Sequence, residues 1–598
     1  MCGISAIYSY HSESPPVDSG VLRNIRDAML SRGPDDAGLW ISDDHTVGLA
    51  HRRLSIIDLS EQGRQPLTAK KGQYRIVFNG EIYNYQSLRK QLQSKGYQFA
   101  TQTDTEVLLN LYVEYGPRML HHLRGMFAFA IWDDIEKSLF LARDPFGIKP
   151  LYYSDNGHQI VVASQVKALL KSDNIDLAVE PAGHVGFFLL GHVPEPYTLY
   201  KGIRALPAGH ALWIDKSGVS EPKVYFDIRK ELLLTQQRVN KFSQSESFEQ
   251  LKENLKESMC SHLVADVPVG VFLSAGIDSA LVTALTNEQS TSPLQTVTLG
   301  FDEYRNSMND EVPMAEQLAR QYSCQHQTYY LKEEDIAANM PHFFSAMDQP
   351  TIDGINTYFV SKVTAGQGLK VALSGVGGDE LLGGYNNFQR IPQFVRWCAW
   401  AKRMGVLSRL LRRTTQPMLR YLGKEKYAGF LEYAHTYSGA YFLLRSLQMP
   451  FQIFNVMDAE TFMQGWRELA LIENMQSSVS GLNEKHLQVS GLELQWYMRN
   501  QLLRDTDWAG MAHSLEIRVP YVDVPLFRQA MQMHVHIQSK RDCVRRLKTN
   551  LPADLLNRKK SGFNVPIRDW QLQTKGNNRK KTTMQSWADL VYSKYLGE

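Results

Sequence analysis

Over roughly the first 215 positions the apolar residues fall in short, partly alternating runs: GISAIYSY, TVGLAHRRLSIID, YRIVFNGEIYN, MFAFAIWD, SLFLARD, LYYSD and QIVVASQ. A period near two between turn signals predicts strands. Helical spacing shows mainly in VLRNIRDAMLSRG, YQSLRKQLQSKG and TEVLLNLYVEYG, so residues 1–215 read as a layered α+β domain whose first strand ties down the N-terminus. Between about 215 and 245 the chain turns polar, and DIRKELLLTQQRVNKFSQSESFEQ reads as a linker entering a helix. From 240 to 598 the pattern becomes strand, loop, helix, strand, with VPVGVFL, QTVTLGF and LKVALSG as strands. That order predicts an α/β domain with a doubly wound parallel sheet and extra helices, whose ligands bind at the carboxyl ends of the strands.

A length of 598 residues supports this division, because single cores stop growing at roughly 250–300 residues. The net charge of +3 carries no nucleic-acid footprint, and neither a leader-like start nor an apolar run of about 18 residues is present, so a cytoplasmic protein is expected. Cys260, Cys324, Cys398 and Cys543 are scattered without metal-site spacing and are expected to be buried free thiols.

Cys2 stands apart. Removal of Met1 would leave a thiol and a free α-amine on one residue. An α-amine titrates near pH 8 and a thiol near 8.5, so the amine can take the thiol proton and prepare a nucleophile for acyl transfer.

Together with this start, HRRLSIIDLSEQGRQPL, VFNGEIYNY, QTDTEVLL, LRGMFAFAIWD and LFLARDPFGIKPLYY resemble the glutaminase domain of class II, N-terminal-nucleophile glutamine amidotransferases. The resemblance implies that Cys2 attacks the glutamine side-chain amide. It implies an oxyanion hole from Asn79 and the Gly80 N–H, and a clamp on the free amino acid from Arg53 and Asp104, helped by Glu81 and the Ile56 backbone. On their own, Asn79-Gly80 would be read as a hairpin turn.

In the second part, LSAGIDSA joins an apolar run to a helical one through small residues whose N–H groups can converge on a phosphate. It lacks the GxxxxGK[ST] order and resembles the pyrophosphate loop of ATP pyrophosphatases, with Ala275 where those have Gly. With NDEVPMAEQLA, MDQPTIDGINTYFVS, LSGVGGDELLGGY, LLRDTDWAGMAHSLEIRVPYVD and NRKKSGFNVP, the chain is similar to the asparagine synthetase family. The resemblance implies ATP-driven amidation of a carboxylate through an acyl-adenylate, with ammonia channelled from the glutaminase site. It assigns ATP to Leu273, Ser274, Gly276, Asp278, Ser279, Val297, Ser374 and Gly375, Mg²⁺ to Asp278 and Asp379, and charge neutralisation to Lys560. Glu516 and Arg518 are expected to form a structural ion pair.

The chain departs from the family at Gln165, where Glu is frequent, and at Val376, where asparagine synthetases commonly carry a carboxylate beside the acceptor. Aspartate is the first acceptor expected, a sugar uronate the alternative, and an inactive regulatory homologue the reading of another class. The partners expected are small molecules, with a homodimer as the assembly to test. One further segment, RIPQFVRWCAWAKRMGVLSRLLRRTTQPMLRYLGKEK near 390–426, reads as a basic amphipathic helix suited to an anionic partner or membrane surface. The tail TKGNNRKKTTMQSWADLVYSKYLGE reads as a polar spacer and a terminal helix.

Overall fold

In the computed structural model, which describes residues 2–237, 243–290, 292–454, 456–537, 539–558 and 583–597, the early apolar runs become two antiparallel sheets. Their strands are β1 (Gly3–Ser9), β2 (Asp36–Ile41), β3 (Val47–Arg53), β4 (Leu67–Ala69), β5 (Tyr74–Ile82), β6 (Gly125–Asp133), β7 (Ser138–Arg143), β8 (Tyr152–Asp155), β9 (Gln159–Ala163), β10 (Arg204–Ala205), β11 (His210–Asp215), β12 (Gly218–Val219) and β13 (Lys223–Val224). One sheet runs β10-β8-β9-β1-β3-β2 and the other β12-β11-β7-β6-β5-β4, with β13 beside β11.

Alternation places each side chain. Ile4, Ala6 and Tyr8 of β1 pack between the sheets with Val77, Ala128 and Ala130, whereas Ile7 faces outward onto Leu22 and Ile25 of helix Ser19–Asp27. On the far side, Ile76 and Phe78 meet Leu88, Val107 and Leu108 of helices Tyr85–Ser94 and Asp104–Tyr115. The order is therefore helix, sheet, sheet, helix, and β1 carries Cys2 at its entrance, paired on both edges with β3 and β9.

Two segments differ from their sequence pattern. TVGLAHRRLSIID does not continue as a strand past Arg53, because side chains take over the hydrogen bonds of the following backbone. Asp35 Oδ2 accepts the Ser55 N–H at 2.7 Å, and Arg53 donates to the carbonyls of Ile57, Asp58 and Ser60. The polar linker begins as a helix, Ile228–Gln237, because Ile228, Leu232 and Thr235 form a buried stripe while Glu231 pairs with Arg528 at 2.7 Å.

The second half is built on β14 (Val269–Phe272), β15 (Gln295–Phe301), β16 (Gln325–Leu331), β17 (Val371–Leu373) and β18 (Glu516–Arg518). All pairs are parallel, in the order β16-β15-β14-β17-β18. The direction of winding reverses between β14 and β17, which puts the crevice at their carboxyl ends. β16 and β18 were not among the expected strands: QHQTYYL alternates along an exposed edge, and EIR is three residues long.

Helices fill the rest. An unusually wide π-helix, Glu493–Leu503, runs directly into helix Arg504–Met511. The basic segment is two helices, Asn387–Cys398 and Val406–Tyr421, rather than one, since the turn Ala399–Arg403 and Gly405 at φ 45° separate them. Cys398 and Cys543 are buried as expected. Cys324 is only partly covered and Cys260 is exposed, because helix Gln244–His262 turns Leu255, Met259 and His262 inward and leaves Cys260 outside. Among the described residues no helix is long and apolar enough to cross a membrane.

Candidate active site

Two pockets collect the residues singled out above. The first is a tight cleft lined by Cys2, Arg53, Ile56, Gly80, Glu81 and Asp104, together with Gln65 and Thr103. The Cys2 N–H donates to Asn79 Oδ1 at 3.0 Å. That leaves Asn79 Nδ2 buried, with no acceptor among the described residues. A buried donor of this kind is costly unless something fills it, and a developing oxyanion would. Asn79 and Gly80 are not a turn: they lie inside β5, opposite Ala128 and Phe127. Only Gly fits at position 80, where φ is +157° and a Cβ would sit 2.1 Å from the Met126 carbonyl oxygen.

Burial pushes the Cys2 thiol above its ordinary value, so a thiolate does not form unaided. Arg53 lines the cleft, and its guanidinium is fixed by the Ser60 carbonyl at 2.7 Å and by those of Ile57 and Asp58. Burial raises Asp104 to about 6, against the Ile82 N–H that donates to its Oδ2 at 3.0 Å. The Ile56 carbonyl accepts the Asp266 N–H at 2.9 Å.

The second pocket is a cavity of about 330 Å³ at the β14/β17 switch point. Leu273, Ser274, Gly276, Asp278, Ser279, Val297, Ser374, Gly375 and Asp379 all line it, as does Val376. Ser279 Oγ accepts the Ser274 N–H at 3.0 Å and lies 2.9 Å from Ser274 Oγ, closing the loop onto the start of helix Ile277–Asn287. Ala275 is buried in this loop, and Gln165 is buried ahead of the short helix Val166–Leu169. The loop after β17 packs so closely that a Cβ on Gly378 would lie 2.2 Å from Asp278 Oδ1.

Lys540, which the sequence did not single out, pairs with both Asp278 and Asp379. The two carboxylates therefore already converge on one cation. Two hard oxygen donors beside a small-residue loop are a donor set that would suit a divalent cation such as Mg²⁺. No cluster of three or more metal-ligating side chains occurs among the described residues. Lys560 lies outside the described residues.

Glu380 also lines this cavity. Burial, then the Asp379 charge, raises its carboxyl to about 7, while Tyr385 donates to its Oε1 at 2.8 Å. Asp353 and Asp505 line the same wall, and burial raises both.

Buried arginines tie the pockets together. Arg32, fully buried, donates from Nε to the Cys2 carbonyl at 3.0 Å and forms a two-pronged bond to Asp507 at 2.6 and 3.0 Å. Asp505 and Thr506, the residues just before Asp507, line the cavity. Arg518 pairs with Glu516 at 2.6 Å and with Glu81 of the cleft at 3.4 Å, and its carbonyl accepts the Ser374 N–H at 2.8 Å. Arg32 lies in VLRNIRDAMLSRG and Asp507 in LLRDTDWAG, but neither segment points to the other, and only the fold shows that they meet.

A glutamine amidotransferase domain model matches residues 1–226, and an asparagine synthase model matches residues 250–596. The chain belongs to the asparagine synthase family. It is 33% identical over 593 residues to asparagine synthetase [glutamine-hydrolyzing] 1 of Bacillus subtilis, covering 95% of this chain and 88% of that protein. Asparagine synthetase [glutamine-hydrolyzing] 3 of the same organism is 29% identical over 617 residues, covering 99% and 91%. A putative asparagine synthetase [glutamine-hydrolyzing] of Mycobacterium bovis is 31% identical over 607 residues, covering 95% and 88%. As a member of the asparagine synthase family with a fused amidotransferase domain, the chain is a glutamine-dependent ligase.

Proposed function

We propose that the chain converts a carboxylate to its amide, hydrolysing glutamine in the cleft and spending ATP in the cavity, with L-aspartate to L-asparagine as the first reading. The observation that carries it is the Arg32 bridge, which holds the Cys2 backbone at one end and, at the other, Asp507, next in the chain to the cavity-lining Asp505 and Thr506.

With Met1 removed, the Cys2 nitrogen is the α-amine. It takes the thiol proton as Cys2 Sγ attacks the glutamine carboxamide carbon. Asn79 Nδ2 and the Gly80 N–H receive the oxyanion, the C–N bond breaks with the proton passed to departing ammonia, and water hydrolyses the thioester to glutamate. Arg53 binds the substrate's α-carboxylate, and Asp104, helped by Glu81, its ammonium.

In the cavity the acceptor carboxylate attacks the α-phosphorus of ATP, and pyrophosphate leaves along Ser274, Gly276, Ser279 and Ser374. Asp278 and Asp379 would hold Mg²⁺, which would neutralise phosphate charge. Lys540, already between those carboxylates, is the cation this chain brings to the same place. Ammonia crossing past Arg32 and Asp507 attacks the adenylate carbonyl, AMP leaves, and the excess proton goes to Glu380, whose value near 7 suits a base at neutral pH.

Val376 in the cavity favours a second reading, a sugar uronate as acceptor, because an apolar side chain stands where asparagine synthetases commonly have a carboxylate. The test is AMP and pyrophosphate release from ATP, Mg²⁺ and glutamine with L-aspartate against a panel of uronic acids, for the wild type and Cys2→Ala. Aspartate-dependent turnover that Cys2→Ala abolishes with glutamine but retains with ammonium supports the first reading. Turnover with a uronate alone selects the second, and no turnover with any acceptor leaves the inactive homologue.

A further inference from the structure

Helix Val406–Tyr421 is packed on one side only. Ser408 is buried, Arg412 pairs with Glu432 at 2.9 Å and lies over the Phe451 ring, and Gln416 donates to Glu425 at 2.8 Å. The opposite side carries Val406, Leu407, Leu410, Leu411, Met418 and Tyr421 into solvent, Val406 and Tyr421 at 79% and 91% exposure. These residues share one side of the helix at helical spacing, in two apolar groups on either side of Thr414, along a helix about 24 Å long at 1.5 Å per residue. Just before it, Trp397 and Trp400 are 55% and 58% exposed. A helix solvated on that side would present polar residues there, and an exposed apolar face of this extent marks a surface that is covered in use.

The charge around it is one-sided. From Leu381 to Lys424 the chain has nine basic residues and no acidic one. Arg409, Arg412 and Arg420 are neutralised by Glu432 and Glu425. Arg396, Lys402, Arg403, Arg413 and Lys424 are exposed and pair with no carboxylate among the described residues.

We propose that this face seats the enzyme on an anionic membrane surface, with the helix lying in the interface plane. The apolar stripe would enter the acyl boundary, the two Trp would sit at headgroup depth, and the unpaired Arg and Lys would meet lipid phosphates. A second copy of the chain is the poorer occupant, since a two-fold contact would set this cationic patch against itself. The helix has neither the length nor the all-round apolarity of a membrane span, consistent with lying on the bilayer rather than crossing it.

The test is co-sedimentation of the full-length chain with vesicles of equimolar phosphatidylglycerol and phosphatidylcholine, against phosphatidylcholine alone, at low salt and at about 0.5 M salt. Binding to the anionic vesicles only, weakened by salt, is expected. It should fall at least about tenfold in Lys402→Glu/Arg413→Glu, and likewise in Leu407→Asp/Leu411→Asp, with the unfolding midpoint of each variant unchanged. Absence of binding, equal binding to neutral vesicles, or full binding by both variants would overturn the proposal. So would a concentration-dependent dimer that Leu407→Asp/Leu411→Asp disrupts without any vesicle binding.

Discussion

Asp104 is a carboxyl at the buried end of a helix, held near 6 by loss of water rather than near the usual 3.9. Above that pH it is ionised and can hold an ammonium group; below it, protonation removes the charge. Because kcat/KM reports the free enzyme, its value for glutamine should fall by a further factor of about ten per pH unit below about 6, on top of the limb set by the Cys2 amine, while Asp104→Asn should remove that added fall and lower the whole curve. A profile that does not steepen between pH 6 and pH 5 would remove Asp104 from glutamine binding. Glu380 works in the other cavity, with a value near 7 and Tyr385 as its donor. Glu380→Gln should slow amide formation by about a hundredfold while glutamine hydrolysis in the separate cleft stays at its wild-type rate. Unchanged synthesis would mean that the proton leaves by another route.

At the scale of elements, most of the frame is legible in local pattern. Period-two runs give β1, β5, β6 and β7, and the small-residue loop between an apolar strand and an apolar helix gives the phosphate turn after β14. Harder to read are elements whose existence depends on partners far away. β16 alternates but lies at an edge with only Leu331 buried, and β18 is a strand only because Val371–Leu373 lies beside it. The stretch after Arg53 keeps strand-like apolarity, yet it leaves the sheet because Arg53 and Asp35 satisfy its backbone. Both pockets could be anticipated from motif resemblance, but not the residues that join them. Arg32 and Asp507 are 475 positions apart, and no spacing rule reaches across that distance.

For the whole molecule, that pair joins the two halves next to both pockets, alongside crossing pairs such as Arg518–Glu81 and Arg124–Asp523. Asp507→Asn keeps the shape and removes the directly paired carboxylate from the buried Arg32 charge, leaving Asp348 as the nearby acid, which should cost about 3 kcal/mol and lower the denaturant midpoint. It should also release glutamine hydrolysis from any dependence on ATP and acceptor. The double variant Arg32→Met/Asp507→Leu should recover the midpoint without recovering the dependence. Recovery of both would make the pair a matter of stability alone.

The wide helix Glu493–Leu503 ends one residue before Arg504, with Asp505, Thr506 and Asp507 following at once. An α-helix turns about 100° per residue, so a single residue gained or lost in that coil would swing Asp507 away from Arg32 and Asp505 away from the cavity together. The segment thus behaves as a phase-setting device, whose length decides which way Asp505 and Asp507 face.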